Sequence, residues 1–224
     1  MSDFIHRERR QSMVITGTAN KRAWFPLYGE KMSSTNRSEA RKEHISDYYV
    51  TPQKQIELFL KEFEKDCDVF KNPNVKILDP CAGGDIQNEM SYPSVIRRIY
   101  GYEVDTIDIR KDSRAKVKCD YLSYSVSKDY DVIITNPPFN KAIEIISSAL
   151  QDVKLGGYVI MLLRLNFFGS KSRFDFFKRI MPKFCYVHHE RMSFTPDGKT
   201  DSIEYCHMVF QSGYKENVCF LRVI

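Results

Sequence analysis

Val75-Lys76-Ile77-Leu78-Asp79-Pro80-Cys81-Ala82-Gly83-Gly84 is a short apolar run that ends on an acid and breaks into a glycine turn. The apolar run predicts a buried strand, and glycines directly after it permit positive φ and close approach of a ligand to the backbone. A second junction of the same kind lies downstream. Tyr130–Thr135 predicts a strand, and Asn136-Pro137-Pro138-Phe139 stands at its end. Prolines cannot donate to a β-ladder, so the pair projects past the strand, and Pro138 holds Pro137 in extended conformations. Both unusual stretches therefore fall at strand carboxyl ends, where open α/β sheets bind their ligands.

Working outward, Thr51-Pro52 places an N-cap residue before a first-turn proline, and Ile56, Phe59, Leu60 and Phe63 follow at helical spacing. Further helices are predicted over Ser94–Tyr100, Ala142–Leu150 and Ser172–Met181. Strands are predicted over Val104–Ile109, Lys116–Cys119 and, after a Gly156-Gly157 turn, Tyr158–Leu163. Three late strands, Phe184–His188, Tyr205–Phe210 and Val218–Val223, come with no helix between the last two. Strand–helix alternation predicts βαβ units and an α/β domain whose mostly parallel sheet is covered on both faces, with an antiparallel C-terminal strand pair added. Residues 1–47 lack such periodicity and are rich in Ser, Asn, Thr and basic side chains. They read as a basic N-terminal arm that is extended or becomes ordered on binding, ahead of a domain over 48–224.

With 224 residues, 42% hydrophobic, the chain is long enough to bury a core without disulfides or structural metal. No apolar run approaches the roughly 20 residues of a membrane helix, and the first ten residues do not read as a secretory signal. The six cysteines are scattered, with neither a CxxC pair nor zinc spacing, so a reducing compartment, no membrane and no metal are expected. The net charge of +5 is unevenly placed: residues 164–183 carry six Lys or Arg against Asp175 alone. Such a patch suits phosphate contacts, although a solvated helix face reads the same way from charge alone.

The glycine turn is neither GxGxxG nor a P-loop, which points to a nucleoside ligand without a pyrophosphate. Asp108 closes the second strand, where an acid can accept both hydroxyls of a ribose; Asp105 competes but sits mid-strand. Asp120 ends the third strand and is placed to reach an adenine amine. At the fourth strand, the Asn136 side-chain oxygen and the Pro137 carbonyl are two fixed acceptors with an aromatic face, Phe139, beside them. That set suits a planar group with an exocyclic NH2: accepting both N–H bonds pulls the nitrogen lone pair out of conjugation. Cytosine-C5 chemistry needs a nucleophilic cysteine near this loop, and none lies between Cys119 and Cys185. The adjacent His188 and His189 point to opposite faces, poor geometry for one metal, and read as structural or surface residues.

DPCAGG, Asp108, Asp120 and NPPF, in this order, resemble the signature of S-adenosylmethionine-dependent amino-methyltransferases, above all the adenine-specific DNA N6-methyltransferases and their small phage-type members. Asp47-Tyr48-Tyr49-Val50-Thr51-Pro52 and the stretches Arg191–Thr195 and Asp197–Ser202 resemble the same group, so the likeness covers roughly residues 47–210. It implies a Rossmann-like class I methyltransferase domain with a seven-stranded sheet, S-adenosylmethionine as cofactor, and DNA as partner, with RNA as the alternative. It also implies a cytoplasmic enzyme of a bacterial cell or phage-infected host. Tyr49, Thr51 and Pro52 would contact the methionine end of the cofactor. Asp79, Cys81, Ala82 and Gly83 would line its binding turn, Asp108 would hold the ribose and Asp120 the adenine amine. Asn136 and Pro137 would hold the target amine on the turn that Pro138 stiffens, with Phe139 stacking on the flipped base. Arg191 and Lys199 would contact the nucleic-acid backbone. Methylation of an RNA base or a protein glutamine, and a cofactor-binding protein without turnover, are the rival readings. Little chain remains for a separate recognition domain, so short or relaxed sequence specificity is expected.

Overall fold

The computed structural model describes residues 49–194, 200 and 202–224. The expected arm over 1–47, together with Lys199, lies outside the described residues. Along the described chain run α1 (Gln53–Phe63), β1 (Ile77–Asp79), α2 (Ser91–Tyr100), β2 (Val104–Asp108), β3 (Val117–Lys118) and β4 (Tyr130–Thr135). They are followed by α3 (Ala142–Asp152), β5 (Val153–Arg164), α4 (Phe174–Arg179), β6 (Phe184–Val187), β7 (Tyr205–Gln211) and β8 (Phe220–Val223).

The strands form one sheet in the order β3-β2-β1-β4-β5-β7-β6-β8. All neighbours in β3-β2-β1-β4-β5 are parallel. β7 runs antiparallel to both β5 and β6, and β8 runs parallel to β6. Among the described residues the sheet thus has the eight strands that the sequence predicts, one more than the resemblance implies, and the C-terminal irregularity is one reversed strand, β7, with β8 added as an edge. β8 is held there by Arg222, whose guanidinium makes two bonds to the Asp66 carboxylate at 2.6 and 3.0 Å. The chain places β2 and β3 on one side of β1 and then crosses back to place β4 on the other. This reversal opens a crevice at the carboxyl ends of β1 and β4.

Period-2 alternation along the central strands fills two cores. Ile133, Val159 and Met161 face Ile145, Ile146 and Ala149 of α3 and Phe176 and Phe177 of α4. Val132, Ile134 and Ile160 face Ile56, Phe59, Leu60 and Phe63 of α1 and Val95 and Ile96 of α2. A sheet buried on both faces explains why its strands read as near-continuous apolar runs. Phe167 and Phe168, the aromatic pair after β5, pack on Phe177 and belong to the first core.

Several boundaries differ from the sequence reading. Pro52, not Thr51, occupies the N-cap position of α1, and its carbonyl accepts from the N–H groups of Gln55 and Ile56. The Thr51 hydroxyl is engaged elsewhere, as described below. α2 begins three residues earlier than expected and takes in Pro93, tolerated in a first turn where no intrahelical donor is needed. The expected helix over 172–181 splits into a short 3₁₀ turn and α4. Gly156-Gly157 falls inside β5, where the pairing with β4 shifts register.

Gly84 in the turn after β1 has φ +74°, and a Cβ there would stand 2.8 Å from Met90 Cγ and 3.1 Å from Arg114 Cβ. Gly101, which ends α2, has φ +73° and open space around it. Gly101→Ala is expected to lose only the left-handed backbone contribution, about 1–2 kcal/mol. Gly84→Ala should lose about 1–3 kcal/mol more from crowding. Urea melts of the two variants check this; equal midpoints would mean that the Met90 contact is costless.

Candidate active site

The carboxyl ends of four strands and the entry to α1 converge on a cavity of about 200 Å³. β1 contributes Asp79 and the turn residues Cys81 and Ala82; β2 contributes Asp108, and the segment after β3 contributes Asp120. Asn136 and Pro138 enter from the end of β4, and Tyr49 and Thr51 from the segment leading into α1. These nine residues come from positions between 49 and 138, and the sheet brings them to one place.

The acids are held by the backbone around them. Asp108 Oδ2 accepts from the Gly83 N–H at 2.8 Å and its Oδ1 from the Arg110 N–H at 2.7 Å. Asp120 Oδ1 accepts from the Leu122 N–H at 2.9 Å and its Oδ2 from the Ser123 hydroxyl at 3.1 Å, capping a 3₁₀ turn. Asp79 is 1% exposed, and its Oδ1 accepts from the Cys81 N–H at 3.2 Å. Burial pushes the Asp79 carboxyl up to about 7; the Thr135 hydroxyl and the Cys81 N–H pull the other way, and the Asp108 charge adds to the rise. Asp105, the competing acid of β2, is exposed and accepts from the Tyr130 hydroxyl at 3.0 Å instead.

Asn136 Nδ2 donates to Thr51 Oγ1 at 3.1 Å. This bond joins residues 85 apart in sequence and fixes which way the amide points, with Oδ1 on the side away from Thr51. Pro138 starts a 3₁₀ turn over Phe139–Lys141 by accepting from the Lys141 N–H at 2.9 Å.

Five expected residues are not part of the cavity wall. Pro52 starts α1 beside it. Gly83 contributes its N–H to Asp108, and Pro137 is buried beneath the loop. Phe139 is half-buried, with the Arg164 guanidinium carbon 4.7 Å from its ring centroid and Tyr205 at 6.2 Å. Arg191 is exposed, with a 3.4 Å contact to Glu204. Among the described residues, no group of three or more His, Cys, Asp or Glu could hold a metal ion.

Sequence reasoning missed other contributors. Tyr92 lines the cavity from the first turn of α2, and Ile109 and Leu122 give it apolar flanks. Ile109 is 62% exposed, and an apolar side chain directly after a strand-end acid was the available signal for it. Near Phe139, Phe194 stands edge-on to Tyr205 at 4.8 Å and to Tyr49 at 6.1 Å. The Nε of Arg164 is buried with no hydrogen-bond partner among the described residues. Nothing local in the sequence marks these contacts, which depend on β5 and β7 lying side by side.

The architecture is the class I S-adenosylmethionine-dependent methyltransferase fold. A Listeria monocytogenes protein assigned to that class superimposes with a TM-score of 0.60 at 16% identity, covering 82% of this chain and 68% of that one. PH1948 of Pyrococcus horikoshii, assigned as an RNA methyltransferase, superimposes with a TM-score of 0.52 at 15% identity, covering 75% of this chain and 87% of that one. In sequence, the chain is 30% identical over 135 residues to the type II methyltransferase M.VspI of Vibrio sp. (strain 343). That match takes in 51% of this chain and 29% of M.VspI, so the chain spans under a third of that relative's length. No protein-family model matches.

The elevated Asp79 carboxyl sets a pH dependence. Its folded pKa of about 7 lies above the unfolded value of about 3.9, so the stability it contributes is fully present below pH 4 and is lost as pH rises through 7. Asp79→Asn, which can still accept from Cys81, should flatten that slope and stabilise the ligand-free protein above pH 7, by about 4 kcal/mol at most. Thermal melts of both proteins between pH 4 and 8 measure it; parallel curves would mean that Asp79 is ionised throughout.

Proposed function

We propose that this protein transfers a methyl group from S-adenosylmethionine to the exocyclic N6 amine of adenine in DNA. The observation that carries the reading is the Asn136 amide, fixed by Thr51 at the mouth of a cavity whose strand-end groups are carboxylates.

The donor set fits the cofactor. Three carboxylates, Asp79, Asp108 and Asp120, repel a phosphate-bearing ligand and suit a nucleoside that carries positive charge. When bound, S-adenosylmethionine supplies a methyl group activated by its sulfonium. Asp108 holds the ribose hydroxyls with the lone pairs that Gly83 and Arg110 leave open, and Asp120 accepts from the adenine amine between the apolar flanks of Ile109 and Leu122. Tyr49 and Thr51 would bound the methionine end with Pro52 behind them, and Asp79, Cys81 and Ala82 would line the turn beneath it, which Gly83 ties to Asp108.

On the target side, Asn136 Oδ1 and the Pro137 carbonyl accept the two N–H bonds of the amine. Held this way, the nitrogen would keep its lone pair free for an electrophile such as the methyl group the cofactor would supply, with the C–S electrons staying on sulfur and the surplus amine proton going to solvent. Pro138 keeps the acceptors rigid, so positioning supplies most of the rate. Phe139 stacks on the base, which must leave its duplex to reach the loop. Arg191 and Lys199 contact the nucleic-acid backbone. M.VspI is a type II methyltransferase, and that partial likeness together with the loop supports DNA over other amine-bearing substrates.

Nucleoside mass spectrometry of DNA and RNA from methylation-deficient cells expressing the protein tests the reading. N6-methyladenine is expected in DNA, and Asn136→Ala should lower transfer by about 100- to 1,000-fold while cofactor still binds. A mark confined to RNA would move the assignment to an RNA base. No mark in any pool, with cofactor bound, would leave a binding protein without turnover.

A further inference from the structure

A chain of three buried aromatic side chains runs from the cavity wall into the protein. The Tyr92 hydroxyl lies 2.9 Å from His207 Nε2, and His207 Nδ1 lies 2.8 Å from His188 Nε2. Tyr92, His207 and His188 are 2%, 0% and 2% exposed, and Phe59 stacks on the His207 ring at 4.0 Å. The chain ends at His188 Nδ1, which is buried and has no hydrogen-bond partner among the described residues. None of these residues belongs to the acceptor loop or the glycine turn, and an internal polar chain with an unmatched end calls for an explanation.

Both histidines are neutral here: burial lowers His188 to about 4 and holds His207 well below the ordinary range. Each ring therefore carries one proton, and the chain can run in only two directions. Running inward, Tyr92 donates to His207, His207 Nδ1–H donates to His188, and an N–H is stranded in the apolar interior at His188. The wall that holds both Tyr92 and Asp79 then carries two acceptors and gains no donor from Tyr92. Running outward, His188 Nε2–H donates to His207, His207 Nε2–H donates to the Tyr92 oxygen, and the Tyr92 O–H is left to donate into the cavity. The unmatched group is then a bare ring nitrogen, and the cavity gains a donor where Asp79 already supplies an acceptor. Stranded buried N–H groups are the rarer case, and Asp79 in its ionised form, the form that pairs with a cationic ligand, favours a donor at Tyr92.

We propose that His188 and His207 lock the Tyr92 hydroxyl as a hydrogen-bond donor into the cavity, where it receives the carboxylate of the methionine moiety of the cofactor while Asp79 receives its ammonium. Tyr92 thereby reads the amino-acid end of the ligand, and the two histidines are positioning residues that act through it. The ligand named here rests on the cofactor assigned under the proposed function, whereas the direction of the chain does not.

Two measurements on the full chain separate these parts. Long-range ¹H–¹⁵N correlation spectra of ¹⁵N-histidine-labelled protein should show His207 and His188 both as Nε2–H tautomers. His207 as the Nδ1–H tautomer would overturn the outward direction, and this spectrum needs no variant. Calorimetry with Tyr92→Phe should show S-adenosylhomocysteine bound about 10- to 100-fold more weakly than by the native protein. Methylthioadenosine, which lacks the amino acid, should bind both proteins alike. Equal losses for the two ligands would overturn the carboxylate contact and make Tyr92 a packing residue. Native protein that binds neither ligand would overturn the cofactor assignment and the carboxylate contact with it, while the tautomers still decide the direction.

Discussion

The Asp108 carboxylate organises the end of the sheet from which everything functional is hung. One oxygen accepts from Gly83 and the other from Arg110, so a single side chain ties the turn after β1 to the end of β2. The Ala82 N–H adds a backbone bond to the Ile107 carbonyl at 3.0 Å alongside. A glycine-rich turn has the most conformational freedom to lose on ordering. A charged acceptor beside it offsets that loss and leaves the turn presenting its backbone to the cavity. β1 and β2 are stitched at this edge, the chain crosses back over β1 to place β4, and that crossing opens the crevice.

The same edge concentrates negative charge where the protein can least hydrate it. Asp79 is the extreme case, buried within the wall and lifted toward neutrality. Acid at that place is a liability without a cationic ligand, and its persistence at the end of β1 is understandable where a cation is to be bound. The outer surface carries the opposite sign: Lys171, Lys178 and Arg179 are exposed around α4. On the proposed reading, the acids of the cavity suit a cationic small molecule and the basic surface at α4 suits a polyanion.

Much of this was legible in the chain because strand-end motifs are local. The turn at 79–84 and the prolines at 137 and 138 announce their position through backbone chemistry that no tertiary contact can override. Asp108 and Asp120 were legible for the same reason, each being an acid at the end of an apolar run. What was not legible depends on neighbours distant in sequence. Thr51 reads as a helix cap until β4 brings Asn136 to it, after which Pro52 takes the cap position. Tyr92 and His207 are 115 residues apart, and a histidine inside an apolar strand gives no sign of its partner. The late strands follow the same rule: β7 runs back antiparallel to β6, and β8 then lies parallel to β6 on its other side.

The position of Phe139 is the last point at which geometry and chemistry meet. The sequence groups it with Asn136, yet it turns away from the cavity and packs under Arg164 beside Tyr205, with Phe194 beyond. A single pocket holding both cofactor and base would place two planar rings in competition for one apolar slot. On the proposed reading the two rings are kept apart, the cofactor between Ile109 and Leu122 and the base against Phe139. On that reading the Asn136 amide, which lines the cavity three residues before Phe139, stands between them. The Thr51 bond, on that reading, sets the separation: it holds the Asn136 amide in the cavity wall while Phe139 packs on Arg164 of β5 and Tyr205 of β7. A loop free to swing would merge the sites, and the prolines on either side of that possibility, Pro137 buried and Pro138 extended, remove it.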